Sequence, residues 1–255
     1  MRNHRIHAWR RAALVAVMAT LPGLLTCDHN SPEALFILDA MAMNSQNQCT
    51  LRPGQSSQVI RPYGTLDLML TNYYWLFPHF KNMMEPINSI TGEGSTSPEA
   101  EVHYISVQRA KTFVDLGEFA AGSGKVGAKY QIDGADSFVA AGVAPQGEAA
   151  VGVQVVPPEL GAYLEKKMQG VVDGGVIYPG VWVTVYVTLY GQTQDGNVIA
   201  SNEFNFPLQL CWGCMVSGSC TSSFSDFPCY PGQDEAIPAL LCPAVANHPS
   251  YCPQC

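Results

Sequence analysis

Between residues 181 and 210 the chain alternates in the manner of a half-buried hairpin. Val181, Val183, Val185, Val187 and Leu189 hold one set of positions against Trp182, Thr184, Tyr186, Thr188 and Tyr190, and the apolar set then moves to even positions at Val198, Ala200, Phe204, Phe206, Leu208 and Leu210. Period-two alternation predicts two strands, each with one face toward a core. With Asp195-Gly196 as a two-residue turn, Val187 meets Phe204, Val185 meets Phe206, Val183 meets Leu208 and Val181 meets Leu210, so every aliphatic partner falls on one face. Pro207 then needs a position where no ladder bond is required.

Upstream, Leu66, Leu68 and Leu70 alternate against Asp67, Met69 and Thr71, and the continuous run Tyr73, Tyr74, Trp75, Leu76, Phe77 before Pro78 marks a bulge or strand end. Further strand candidates follow at 103–108, 112–116, 126–132, 137–143 and 149–156, the spacing of a sandwich. One short helix interrupts them. It starts at Pro157-Pro158, carries Leu160, Tyr163, Leu164 and Met168 on one face and stops at Gly170. The pattern predicts an all-β fold, an immunoglobulin-like β-sandwich over residues 64–210, followed by a small disulfide-rich C-terminal module over 211–255. Residues 27–63, with their polar and Gly-Pro punctuation around Cys49, read as tether and lead-in.

The first 26 residues have the layout of a signal peptide. Arg2, Arg5, Arg10 and Arg11 precede an uncharged stretch that is too short to span a bilayer, which takes roughly 20 apolar residues. Leu24-Leu25-Thr26-Cys27 resembles a bacterial lipobox, which makes Cys27 the expected lipidation site. Val17-Met18-Ala19 offers ordinary signal peptidase an alternative, and Arg10-Arg11 is a weak twin-arginine signal. Of the nine cysteines, setting Cys27 aside leaves an even set, Cys49, Cys211, Cys214, Cys220, Cys229, Cys242, Cys252 and Cys255, which reads as a disulfide framework made outside the cytoplasm. Cys49 has no local mate and is expected to reach the tail.

Charge narrows the partners. The whole chain of 255 residues carries a formal −8, and loss of the four export-region arginines makes the exported form more acidic still. Such a surface repels phosphate backbones, so no nucleic acid is expected, and membrane association falls to the N-terminal lipid. An envelope protein or glycan partner is left open. With 47% hydrophobic and 13% charged residues the chain lies far from disordered composition.

Few residues carry chemistry. Cys211-Trp212-Gly213-Cys214 has the C-x-x-C spacing of thiol-disulfide enzymes, yet it ends a strand rather than opening a helix. Cys211 and Cys214 with Cys252 and Cys255 have a formal zinc pattern at unusually long separation, with plain disulfides the favoured reading. Ala121-Gly122-Ser123-Gly124-Lys125 lacks the first glycine and the metal-binding hydroxyl of a P-loop. His29, His79, His103 and His248 show no ligand or dyad spacing. The aromatic run Tyr73, Tyr74, Trp75, Phe77 and Phe80 suits a buried strand better than a ligand groove. No cofactor and no catalysis are expected, and the rival from another class is a periplasmic thiol-disulfide oxidoreductase using Cys211 and Cys214.

Four features occur together: the lipoprotein-like start, Gly64-Thr65-Leu66-Asp67-Leu68 leading to Tyr74 and Asn82, Ser201-Asn202-Glu203-Phe204-Asn205-Phe206-Pro207, and Cys211-x-x-Cys214 followed by Pro231-Gly232-Gln233-Asp234. In combination the chain resembles a group of myxobacterial secreted lipoproteins with a Cys-rich C-terminal tail. The resemblance implies an outer-envelope β-protein and says nothing about catalysis.

Overall fold

The computed structural model describes residues 34–43, 48–56, 58–86, 102–117, 129–131, 137–172, 178–217 and 228–252. In chain order the strands begin with β1 (Leu35–Ala40), β2 (Gly64–Asp67), β3 (Tyr74–Leu76), β4 (Pro78–Asn82) and β5 (Ile105–Asp115). Next come β6 (Lys129–Gln131), β7 (Ser137–Val143), β8 (Glu148–Ala150) and β9 (Val153–Val156). Helix α1 (Pro158–Val172) leads into β10 (Tyr178–Thr193), β11 (Val198–Ala200) and β12 (Phe204–Trp212). Short strands β13 (Val216–Ser217) and β14 (Ile237–Pro238), a one-turn helix α2 (Cys242–Val245) and two single 3-10 turns complete the order.

The largest sheet runs β2-β12-β10-β5-β6, with β11 also on β10 and β7 also on β5. Its centre is the long hairpin: Val187 pairs with Phe204, Val185 with Phe206, Val183 with Leu208 and Val181 with Leu210. The turn differs from the expected two-residue Asp195-Gly196. At the tip Gln192 pairs with Val198, and the Thr193 N–H donates to the Asn197 carbonyl at 3.0 Å, closing a longer turn in which Gly196 takes φ +90. An extra residue between Ala200 and Phe204 then restores the register, with Ser201 Oγ accepting the Leu189 N–H at 2.9 Å. β2 joins parallel to β12 from Leu208 onward, so Pro207 lies just outside that pairing.

A second sheet, β1-β4-β8, supplies Leu35, Ile37 and Phe80 to the same core as Val185, Leu189 and Phe206 of the large sheet. β1 corrects the reading of 27–63 as lead-in. Leu-Phe-Ile-Leu is apolar at every position and hides its period, but pairing with β4 buries Leu35 and Ile37 and turns Phe36 and Leu38 outward. Tyr74, Phe77 and Phe80 are likewise core residues, which removes the groove reading of that aromatic run. The candidates 103–108 and 112–116 are one strand, β5, while 149–156 divides into β8 and β9.

α1 buries Leu160, Leu164 and Met168 and leaves Tyr163 exposed, and it continues past Gly170. The described residues hold two α-helices rather than one, the second lying in the tail. Nor is the tail a separate module: Met215, Ile237 and Cys242 belong to the common core. Contacts divide the chain into Met1–Pro32 and Glu33–Cys255, and every described residue falls in the second unit.

Candidate functional site

The C-x-x-C turn sits where β2 and β12 end together, with Cys211 paired to Asp67 in the parallel ladder. Cys211 and Cys214 are bonded to each other, Cys211 buried and Cys214 exposed. Beneath them lies Asp67, fully buried, whose Oδ1 accepts N–H groups from Met69 at 3.0 Å and Gly213 at 2.8 Å. Its Oδ2 accepts the Met215 N–H at 2.8 Å. Burial raises the carboxyl pKa above its ordinary value, and the three N–H bonds pull the other way. One buried side chain thereby fixes the backbone on both sides of Cys214.

This arrangement says what the pair is suited to do. A carboxyl oxygen and the two sulfurs lie within 4.8 Å of one another, so Asp67, when ionised, opposes formation of a thiolate beside it. The turn joins a strand end to β13, and among the described residues no helix starts there to stabilise an attacking sulfur. Cys214 is exposed, as an attacking cysteine must be. As for zinc, Cys252 is bonded to Cys242 rather than gathered with Cys211 and Cys214.

A second polar cluster fastens the tail to the sheet. Asp234 Oδ1 accepts the Thr65 N–H at 2.8 Å, its Oδ2 accepts the Tyr74 hydroxyl at 2.7 Å, and Arg61 Nη1 lies 3.4 Å from Oδ1. Burial raises the Asp234 carboxyl pKa, with Arg61 as the largest opposing influence, and burial with the Asp234 charge pushes the Tyr74 phenol up. Next door, Gln233 accepts the Trp75 N–H and donates to the Tyr73 carbonyl, both at 3.0 Å. Pro231-Gly232-Gln233-Asp234 is thus a clamp on the start of β2 and β3.

Other polar residues singled out in the sequence do similar work. Asn82 donates to the carbonyls of His103 and Val143, and Asn202 accepts the Ile37 N–H at 2.7 Å. His79, buried in the small sheet, lies 3.2 Å from Asp39 and 3.3 Å from Glu148, so it bridges β1 and β8. His248 bonds Glu165 of α1 and rests against Trp212, ring centroids 5.4 Å apart. Asp67 and His248 were not separable in the sequence from ordinary surface positions; the sole signal was Asp67 between two leucines.

Cys49 bonds Cys229, 180 residues away, and Cys242 bonds Cys252. Cys27, Cys220, Cys255 and the glycine-rich stretch 121–125 lie outside the described residues. No protein-family profile matches the chain, and none of the curated protein sequences is similar to it.

Proposed function

We propose that the chain is an exported envelope protein, lipid-anchored through Cys27, with a structural or binding role and no catalytic one. The observation that carries this reading is the placement of Asp67: its three backbone hydrogen bonds hold the Cys211–Cys214 turn rigid, and whenever its carboxyl is ionised it opposes the thiolate that exchange chemistry needs. Disulfides that join distant segments fit an oxidising compartment. The immunoglobulin-like architecture belongs to the same proposal. Two sheets share one core, and the neighbouring antiparallel strands β10 and β12 have the earlier strand β5 on the other side of β10, as in one sheet of that fold. The resemblance to myxobacterial lipoproteins supports the anchor.

Two measurements test it. Purified protein should fail to reduce insulin or reshuffle a scrambled disulfide substrate, and radiolabelled palmitate should enter the wild-type chain but not Cys27→Ser. The exposure of Cys214 favours one second reading, the thiol-disulfide oxidoreductase. Turnover that vanishes in Cys214→Ser while the fold survives would replace the first reading by the second.

A further inference from the structure

The face of the large sheet that looks away from the core is built differently from the core face. Along β10 its positions are Trp182, Thr184, Tyr186, Thr188, Tyr190 and Gln192, with no aliphatic side chain among them. Antiparallel partners share a face, so the pairings extend it sideways: Tyr186 to Phe113, Tyr190 to Arg109, Arg109 to Phe138 and Gln192 to Val198. Trp182 is 53% exposed, Phe138 95% and Val198 78%. Tyr63 meets Trp182 edge to face at 5.7 Å, and the Arg109 guanidinium lies 4.3 Å over the Tyr190 ring. At the Tyr190 end the face deepens into a groove of about 390 Å³ lined by Gln108, Phe138, Gln192 and Val198.

We propose that this face binds an extended, neutral, β-linked polysaccharide, with pyranose rings stacked along Trp182, Tyr186 and Tyr190 and the chain end seated in the groove. The proposal rests on the binding role put forward above and names its ligand. Rings four residues apart on one strand stand about 13 Å from each other, so the apolar surfaces form a single file. A protein partner instead wants its anchors clustered in a dry centre. Each pyranose has an apolar C–H face and a hydroxyl edge, and here aromatic faces alternate with the hydroxyls of Thr184 and Thr188 and the amide of Gln192. The net charge of −8 turns away polyanions at long range, while on the face itself Lys111, opposite Thr188, and Arg109, beside Tyr190, offer donors to ring hydroxyls.

The test is affinity gel electrophoresis and calorimetry with cellohexaose, laminarihexaose and chitohexaose on the full oxidised chain, with decaproline as a peptide probe. Variants are Trp182→Ala and Tyr190→Ala on the face and Tyr163→Ala on α1 as a remote aromatic control, each checked by circular dichroism. At least one hexasaccharide should bind at about 1 mM or tighter, with each face variant weakening it about tenfold and Tyr163→Ala leaving it unchanged. Absence of binding to all three sugars, binding indifferent to Trp182 and Tyr190, or decaproline taking the face in their place overturns the proposal. Failure of the non-catalytic reading shows separately, as insulin reduction that the face variants leave intact.

Discussion

Asp234 accepts the phenolic hydroxyl of Tyr74 at 2.7 Å from a position 160 residues further along the chain. Tyr74 is buried and Asp234 half-buried, and the same carboxylate takes the Thr65 N–H. Asp234→Ala orphans the buried Tyr74 hydroxyl and the half-buried Thr65 N–H, whereas Tyr74→Phe removes one donor and leaves Thr65 and Arg61 in place. An orphaned buried group costs about 1–3 kcal/mol. Asp234→Ala should therefore lower the urea unfolding free energy by more than Tyr74→Phe does, and the reverse order would show that the clamp is not held by this carboxylate.

Asp67 predicts a pH dependence. Its carboxyl pKa is raised above 3.8 in the folded chain, so the folded state holds this proton more tightly than the unfolded state does. Its contribution to stability is present below the unfolded value and is lost as pH rises through the raised folded value. Asp67→Asn has no such titration, but it places an amide nitrogen against the Met215 N–H, at a cost of about 1–3 kcal/mol. The penalty of the substitution should be largest in acid and shrink as pH is raised from roughly 4. A penalty that grows with pH would mean that the N–H bonds outweigh burial.

Removing the long-range disulfide should be the most damaging cysteine change. In the chain-entropy picture, closing so long a loop restricts the unfolded chain by about 5 kcal/mol, against about 3 kcal/mol for Cys242 and Cys252, which are 10 residues apart. Cys49→Ala/Cys229→Ala should thus lower the melting temperature more than Cys242→Ala/Cys252→Ala. Equal losses would point to native contacts rather than the unfolded chain.

Gly161 predicts a reversal of helix propensity. On an exposed helix Gly→Ala stabilises by about 1 kcal/mol. Here a Cβ would fall 1.6 Å from the Asn72 carbonyl oxygen, against backbone that has nowhere to go. Gly161→Ala should destabilise, read as a fall in the thermal midpoint, and a rise would show that α1 is free to shift off the β2–β3 connection.

The hairpin was legible because Val187 and Phe204 belong to alternating sets whose parities demand one register. The turn was not: Gly196 suits a two-residue turn and a longer one alike, and the choice depends on Ser201 reaching back to Leu189. β1 escaped notice because Phe36 and Leu38 are apolar yet outward. Asp67 looked like a solvent-facing partner of Leu66 and Leu68, since nothing local tells that residues 213–215 and 232 fold over it. Side chains that tie residues more than 140 apart leave no periodic trace. The cysteines, by contrast, announced covalent closure by number alone, although their pairing needed the fold.

The separations within the three disulfides among the described residues, 3, 10 and 180 residues, also set a timetable. A chain is delivered from the N-terminus, so Cys49 arrives first and waits for its partner while the 180 residues that separate them follow. Cys211–Cys214 and Cys242–Cys252 join residues that are delivered almost together. A product cut short anywhere before residue 229 carries Cys49 without its mate, and its thiol stays available for capture by the disulfide-exchange machinery. The Cys49–Cys229 bond thus records passage: it distinguishes a chain delivered as far as residue 229 from a shorter one by chemistry rather than by shape.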